Sequence, residues 1–276
     1  MKYINIKGYL FDLDEPVVMG ILNVTPDSFY AESRKQNRDD IDRRITTILH
    51  EGGKIIDIGG YSSRPGAAHV SDEEERQRLK PGLDHLKKYF PDVIVSIDTF
   101  RADIACWAVE EYGVAIVNDI SGGGMDEKMF QTIARLQVPY ILTHLRGTPQ
   151  MVQQDSDYND MIEEMMLFFA DKLHRMQLLG VNDIILDPGF GFGKTVDQNY
   201  ELMRTLPEFQ IFERPLLVGV SRKRMIYDFL ECDIEDSLSG TTVLHTFALI
   251  HGANILRVHD VIHAVEAVKI ISKLKK

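Results

Sequence analysis

Eight short apolar runs recur along the chain, and each stops on a polar residue or a glycine pair. VVMGIL runs into Asn23, KIIDI into Gly59-Gly60, VIVSI into Asp98 and VAIV into Asn118. PYIL runs into Thr143-His144, DIIL into Asp187, LLVGV into Ser221 and NILRV into His259. An uninterrupted apolar run is the mark of a strand buried on both faces, because helices cover both sides of a parallel sheet. Its polar end therefore belongs at a rim rather than in a core. Any one such residue can simply terminate a strand. Brought together by a closed parallel sheet, the set builds one polar surface from distant segments.

Stretches with helical spacing separate the runs, at 38–51, 71–90, 101–112, 125–136, 157–179, 197–206, 237–252 and 260–275. Ser71 followed by Glu73, Glu74 and Glu75 marks a helix start, since acids favour the positive end of the helix dipole. Strand–helix pairs in this number predict an α/β fold of the (β/α)8 TIM-barrel type. An open doubly wound sheet is the alternative, but it gathers its ligand at one crevice, whereas here nearly every strand end is polar. Residues 4–14 alternate in two stretches about Gly8, which predicts an N-terminal β-hairpin placed to plug the barrel floor. No low-complexity tract or long linker divides the chain, so residues 1–276 are expected to form a single barrel domain. The connections at 24–37, 60–70, 145–156 and 222–236 are long, and long loops at one rim tend to carry function. Helix 237–252 is apolar on more than one side, as either a dimer interface or a helix buried against the barrel would be.

The chain carries 31 basic and 42 acidic residues, a net charge of −11, which argues against a general nucleic-acid binder. No apolar run reaches the roughly 18 residues that span a bilayer. The opening MKYINIKGYLFDLDEP is broken by charges and lacks a signal-peptide core. Cys106 and Cys232 form no metal or redox motif. A soluble, cytoplasmic, disulfide-free protein is expected, with no nucleic-acid or membrane partner.

In the first loop, Asn23-Val24-Thr25-Pro26-Asp27-Ser28-Phe29 sets an amide and a carboxylate at a strand exit. Such oxygens suit a hard cation, or else an Asx-type turn stiffened by Pro26. The second loop, Asp57-Ile58-Gly59-Gly60-Tyr61-Ser62-Ser63-Arg64-Pro65-Gly66, combines glycines, hydroxyls and an arginine. It suits an anion, or else a flexible surface loop. Asp98, Asn118 and Asp187 end three apolar strands and would read a heterocycle rich in N–H donors; a two-carboxylate hydrolase is the competing view. Buried carboxylates need a ligand or a basic neighbour. The glycine-rich Asp187–Thr195 segment misses both the P-loop and the dinucleotide spacing. Ser221-Arg222-Lys223-Arg224 and Arg257-Val258-His259 follow strands seven and eight, where barrels commonly bind phosphate. His259-Asp260-Val261-Ile262-His263 mimics a zinc motif, but with Asp where Glu is required.

Together these segments resemble the dihydropteroate synthase family, the folate-pathway transferases that sulfonamides block. The likeness rests on GILNVTPDSF at 20–29, DIGGYSSRPGA at 57–67, SIDT at 96–99 and VNDISGG at 117–123. It continues in THLRGTP at 143–149, LDPGFGFGK at 186–194, VGVSRK at 218–223 and RVHDV at 257–261. The resemblance implies a usually dimeric barrel that joins p-aminobenzoate to 6-hydroxymethyl-7,8-dihydropterin pyrophosphate, giving 7,8-dihydropteroate and pyrophosphate. It implies that Asp98, Asn118 and Asp187 hydrogen-bond the pterin edge and that Lys223 reaches its other polar atoms. It implies that Arg257 stacks on the ring and, with His259 and Asn23, addresses the pyrophosphate, Asn23 also helping to hold Mg2+. Ser63, Arg64, Phe190 and Ser221 are implied to shape the p-aminobenzoate pocket.

Two departures from the family pattern stand out. The first loop commonly continues Ser-Phe-Ser-Asp-Gly-Gly; here Ala31 takes the place of the acid, with Glu32 beside it. The second commonly reads Gly-Glu-Ser-Thr-Arg-Pro; here Tyr61 replaces the acid and Ser63 the threonine. The rival readings are a pterin-binding barrel that passes a methyl group to a corrinoid protein, and a pterin-binding protein without catalysis.

Overall fold

A computed structural model describes residues 2–24, 36–61, 70–147 and 157–275. Strands β1 (Tyr3–Ile6) and β2 (Tyr9–Asp12) pair antiparallel, with Ile6 opposite Tyr9. Lys7 and Gly8 turn the chain at φ 51° and 88°, the left-handed pair that a two-residue hairpin demands. This is the expected N-terminal hairpin.

The remaining strands are β3 (Val17–Asn23), β4 (Ile55–Gly59), β5 (Ile94–Asp98), β6 (Ile116–Asp119), β7 (Tyr140–Thr143), β8 (Ile184–Asp187), β9 (Leu217–Val218) and β10 (Ile255–Val258). They pair in parallel in the order β8-β7-β6-β5-β4-β3-β10-β9. Leu186 bridges to Leu216 across the remaining seam, and the Leu186 amide donates to the Pro215 carbonyl at 2.9 Å. The result is the near-closed barrel that the apolar runs predict.

Helices α1 (Gln36–His50), α2 (Asp72–Tyr89), α3 (Ala102–Tyr112), α4 (Met129–Leu136), α5 (Met161–Leu178) and α6 (Val196–Arg204) lie between strands. They are followed by α7 (Arg224–Leu230), α8 (Leu238–Ile250) and α9 (Val261–Leu274). Ser71 caps α2 by accepting from the Glu74 amide, and Thr195 and Gln198 form a reciprocal capping box on α6. The expected helix at 125–136 starts only at Met129, because Asp126 caps neighbouring amides, those of Ala102 and Lys128. The expected loop at 222–236 instead contains α7 and a 3-10 turn at Ile234–Ser237. Helix α7 buries only Met225 and Ile226, too few positions for a helical period to show in the sequence.

Strand alternation sorts the core into two layers. Val18, Ile56, Ile58, Ile97, Val117, Leu142, Leu186, Val218, Leu256 and Val258 face outward and pack with the helices. Met19, Ile55, Ile116, Ile141, Ile185, Leu217 and Ile255 face inward and close the floor together with Ile4, Ile6 and Leu13 of the hairpin segment. The hairpin is thus the expected plug. Two residues beyond four of these floor residues the inward position turns polar: Asp57 after Ile55, Asn118 after Ile116, Asp187 after Ile185, Arg257 after Ile255. Burial of the floor and placement of the site are consequences of one two-residue period.

Candidate active site

Arg257 sits at the centre of the barrel mouth. Its Nε donates to Asp57 Oδ2 at 2.7 Å and its Nη2 to Asp98 Oδ2 at 2.8 Å. Asn118 Nδ2 donates to the same Asp57 oxygen at 3.0 Å, while Asp57 Oδ1 is buried without a partner among the described residues. Burial works against the Arg257 charge, but Asp57, Asp98 and Asp187 outweigh it and raise the group above its ordinary value. Burial lifts the Asp98 carboxyl to about 7, with Arg257 opposing and Asp57 adding to the rise. Gly219 leaves open space beside Arg257, for a Cβ there would meet only the Arg257 Cβ, at 3.8 Å.

Asp187 and Lys223 face the same space. Asp187 Oδ1 accepts from the Gly189 amide at 2.8 Å, and burial raises its carboxyl against the pull of Lys223. Lys223 Nζ donates to the Phe190 carbonyl and stands 4.3 Å from the Phe192 ring centroid. Burial lowers its ammonium to about 8, with Asp187 opposing. The loop between these residues turns on Gly189 at φ 71°, where a side chain would collide with the His144 carbonyl. Lys194 ties it down: Nζ donates to the carbonyls of Gly189 at 2.9 Å and Phe192 at 3.0 Å and lies 3.2 Å from His144 Nδ1. Burial holds His144 well below its ordinary value and draws Lys194 down to about 7.

On the other side of Arg257, Ser221 Oγ accepts from the His259 amide at 3.1 Å and lies 3.3 Å from His259 Nδ1. Burial, then Arg257 and Arg44, press the His259 ring down to about 4. Arg222 is held by Asp260 at 2.8 Å and 3.0 Å. Asn23 ends β3 half-buried on this rim.

The barrel thus brings Asn23, Asp98, Asn118, Asp187, Ser221, Lys223, Arg257 and His259 to one mouth. Phe190 is the correction. Its ring is fully buried in the layer between sheet and helices, so it cannot face a pocket; its carbonyl serves Lys223, and Phe192 presents the ring instead. Ser63 and Arg64, with Ala31 and Glu32, lie outside the described residues. Tyr61, which stands where the family pattern has an acid, packs edge-on against Phe100 at 5.0 Å, with the Arg101 guanidinium 5.5 Å from its ring. Asp57 had no role assigned from sequence, although a carboxylate inside the run KIIDI, two residues from a floor isoleucine, is a readable signal. Arg44 carries no such signal among the many charges of α1.

The mouth offers carboxylate and amide acceptors on one side and fixed cations on the other, as a flat heterocycle bearing an anionic group requires. The family profile described as "Pterin binding enzyme" matches residues 19–259. The dihydropteroate synthase of Escherichia coli strain K12 is 38% identical over 267 residues, covering 96% of this chain and 94% of that protein. The solved dihydropteroate synthase of Yersinia pestis in a sulfonamide drug complex superimposes with a TM-score of 0.91 at 37% identity, over 99% of both chains. That of Xanthomonas albilineans with 4-aminobenzoic acid gives a TM-score of 0.90 at 31% identity, over 99% of this chain and 98% of that one. The chain belongs to the dihydropteroate synthase family of pterin-binding enzymes.

Proposed function

We propose that this single barrel domain joins p-aminobenzoate to 6-hydroxymethyl-7,8-dihydropterin pyrophosphate, releasing pyrophosphate and forming 7,8-dihydropteroate. The inward set of Asp57, Asp98, Asn118 and Asp187 beside Lys223 carries the reading, because it matches a ring edge of N–H donors with a carbonyl next to them. Asp187 and Asn118 take the ring donors and acceptors, and Lys223 donates to the ring oxygen. Arg257 and Arg222 gather positive charge where the diphosphate departs, and His259, neutral in the empty site, takes up a proton there as the diphosphate binds. The C–O bond breaks with its electron pair going to pyrophosphate, the arylamine nitrogen forms the new C–N bond, and that nitrogen sheds a proton. Phe192 turns its ring to the arylamine side, and the family resemblance assigns Ser63 and Arg64, outside the described residues, to the same substrate.

Mg2+ fits the donor set as an ion that arrives with the diphosphate. Among the described residues no three His, Cys, Asp or Glu side chains cluster to hold a metal, and Asn23 supplies one rim oxygen. Mg2+ commonly keeps waters and substrate phosphates as its other ligands. When bound it would neutralise charge on the leaving group.

A homodimer in the cytoplasm completes the proposal. Among the described residues no helix is long and apolar enough to cross a membrane. Helix α8 buries Leu244, Ala248 and Leu249 while exposing Val243 and Ile250, and α9 exposes Ile270 and Leu274 beside it. Apolar surface of this kind suits a second copy, and sedimentation reads the state directly. The decisive assay is pyrophosphate release. Release that requires both substrates supports the synthase; release from the pterin ester alone, or none at all, refutes it.

A further inference from the structure

Arg44 projects from α1, the helix that follows the first loop, onto the seam between the first and last barrel strands. Its Nε donates to the Ile21 carbonyl at 3.0 Å and its Nη2 to the His259 carbonyl at 2.7 Å. The last paired residues of that seam are Val258 and Gly20. Beyond them β10 turns away toward α9, and the guanidinium spans the opening that the ladder no longer closes. One of its anchors lies two residues before Asn23, and the other is His259 itself. His259 is therefore gripped from both sides, with its amide on Ser221 Oγ at 3.1 Å and its carbonyl on Arg44. A planar fork reaches these two carbonyls with diverging N–H groups fixed in one plane; an ammonium offers rotatable donors from a single point on a flexible stem and does not reproduce that span. The charge adds to the effect, since Arg44 stands with Arg257 and Arg222 around a ring that burial already keeps neutral.

We propose that Arg44 is a positioning residue for the diphosphate side of the site, fixing the His259 backbone against Ile21 and thereby the His259 ring against the Asn23 amide. This rests on the reading of His259 and Asn23 as diphosphate groups. Arg44 touches neither the pterin-reading carboxylates nor Lys223 in the contacts described above, so its loss is felt by the ester and not by the ring.

The test compares wild type, Arg44→Lys and Arg44→Met as full-length protein, by turnover with the pterin pyrophosphate and by calorimetric binding of 6-hydroxymethyl-7,8-dihydropterin, which lacks the diphosphate. Arg44→Lys keeps the charge and loses the fork. It should raise the KM for the ester about tenfold and lower kcat, Arg44→Met more so, with affinity for the alcohol within about twofold of wild type. An unchanged ester KM in Arg44→Lys overturns the proposal. A parallel loss of ester and alcohol binding also overturns it, because a purely structural residue would act that way. His259→Ala separates the two levels. If it too leaves the ester KM unchanged, the diphosphate reading is at fault; if it raises that KM while Arg44→Lys does not, only the role of Arg44 fails. Should Arg44→Met fail to fold, the lysine variant and its binding of inorganic pyrophosphate decide the matter.

Discussion

Replacing Asp57 by Asn isolates the charge at the centre of the site while keeping its shape. Asp57 Oδ2 accepts from Arg257 at 2.7 Å and from Asn118 at 3.0 Å, and an amide oxygen can stay in place for both. The loss is therefore mainly that of one member of a buried ion pair. Removing such a partner costs about 3–5 kcal/mol when the remaining charge is stranded. Arg257 is 21% exposed and keeps Asp98 at 2.8 Å, so the expected cost is nearer about 2 kcal/mol. The cost depends on pH through Asp98, whose carboxyl is raised to about 7. Below that value the native protein holds a proton on Asp98, leaving Asp57 as the close anion of Arg257, and the substitution removes that anion with no repulsion relieved in return. Above it both carboxylates are ionised against one guanidinium, and the substitution relieves their repulsion. Urea unfolding should show the full loss near pH 5.5 and about 1 kcal/mol less near pH 8.5, one pKa unit of relief on Asp98 being worth that much. The apparent pKa of Asp98 should fall in the variant. An equal loss at both pH values, or a greater one on the alkaline side, would refute the account of the Asp57–Arg257–Asp98 group.

Three further outcomes are expected. Asp187→Ala removes a charged acceptor facing Lys223 and should weaken pterin binding by about 1.5–3 kcal/mol; unchanged affinity by calorimetry counts against the proposed ring contact. His259, held near 4 in the empty site by burial and by Arg257 and Arg44, should gain a proton when a diphosphate binds, so affinity strengthens as pH falls from 8 to 6; the uptake is the difference between wild type and His259→Gln in calorimetry across buffers, and no difference means the ring does not meet the anion. Phe190→Ala should cost about 3–5 kcal/mol of stability as a core deletion, whereas Phe192→Ala should cost less and raise the KM for p-aminobenzoate; the reverse pattern would restore the ring of Phe190 to the pocket.

Much of the site was legible because the barrel writes itself with a period of two. A floor isoleucine, an outward residue and then a polar residue recur at Ile116-Val117-Asn118 and Ile185-Leu186-Asp187, so the strand ends could be placed on one rim from the sequence. The same rule reaches Asp57, which escaped assignment only because it stood inside a run rather than at its end. Where the strand stops, parity stops with it. Past Asp187 the chain turns at Gly189 and Gly191, with φ 71° and 80°, and no alternation says whether Phe190 or Phe192 faces the mouth. Arg44 lay beyond reach for another reason. Its partners are backbone carbonyls on distant strands, which leave no trace in the composition of α1.

The pairing of Arg257 with Asp57 and Asp98 also bears on how this mouth would tell the activated pterin from its alcohol. In the empty site the guanidinium occupies acceptors that, on the proposed reading, belong to the ring. A ring that brings N–H donors to Asp98 displaces a charged hydrogen bond of about 1.5–3 kcal/mol. The alcohol compensates the carboxylate and leaves Arg257 with Asp57 alone of its two carboxylate partners. The ester compensates both, since its diphosphate meets the freed guanidinium beside His259 and Arg222. Ester and alcohol should therefore differ in affinity by roughly ten- to hundredfold, even though the diphosphate adds nothing to recognition of the ring. Arg257→Met should shrink that ratio chiefly by improving the alcohol, because the pair to be broken is gone. If calorimetry finds that the substitution weakens ester and alcohol alike, Arg257 does not guard the ring-binding carboxylates, and the exchange of partners described here does not occur.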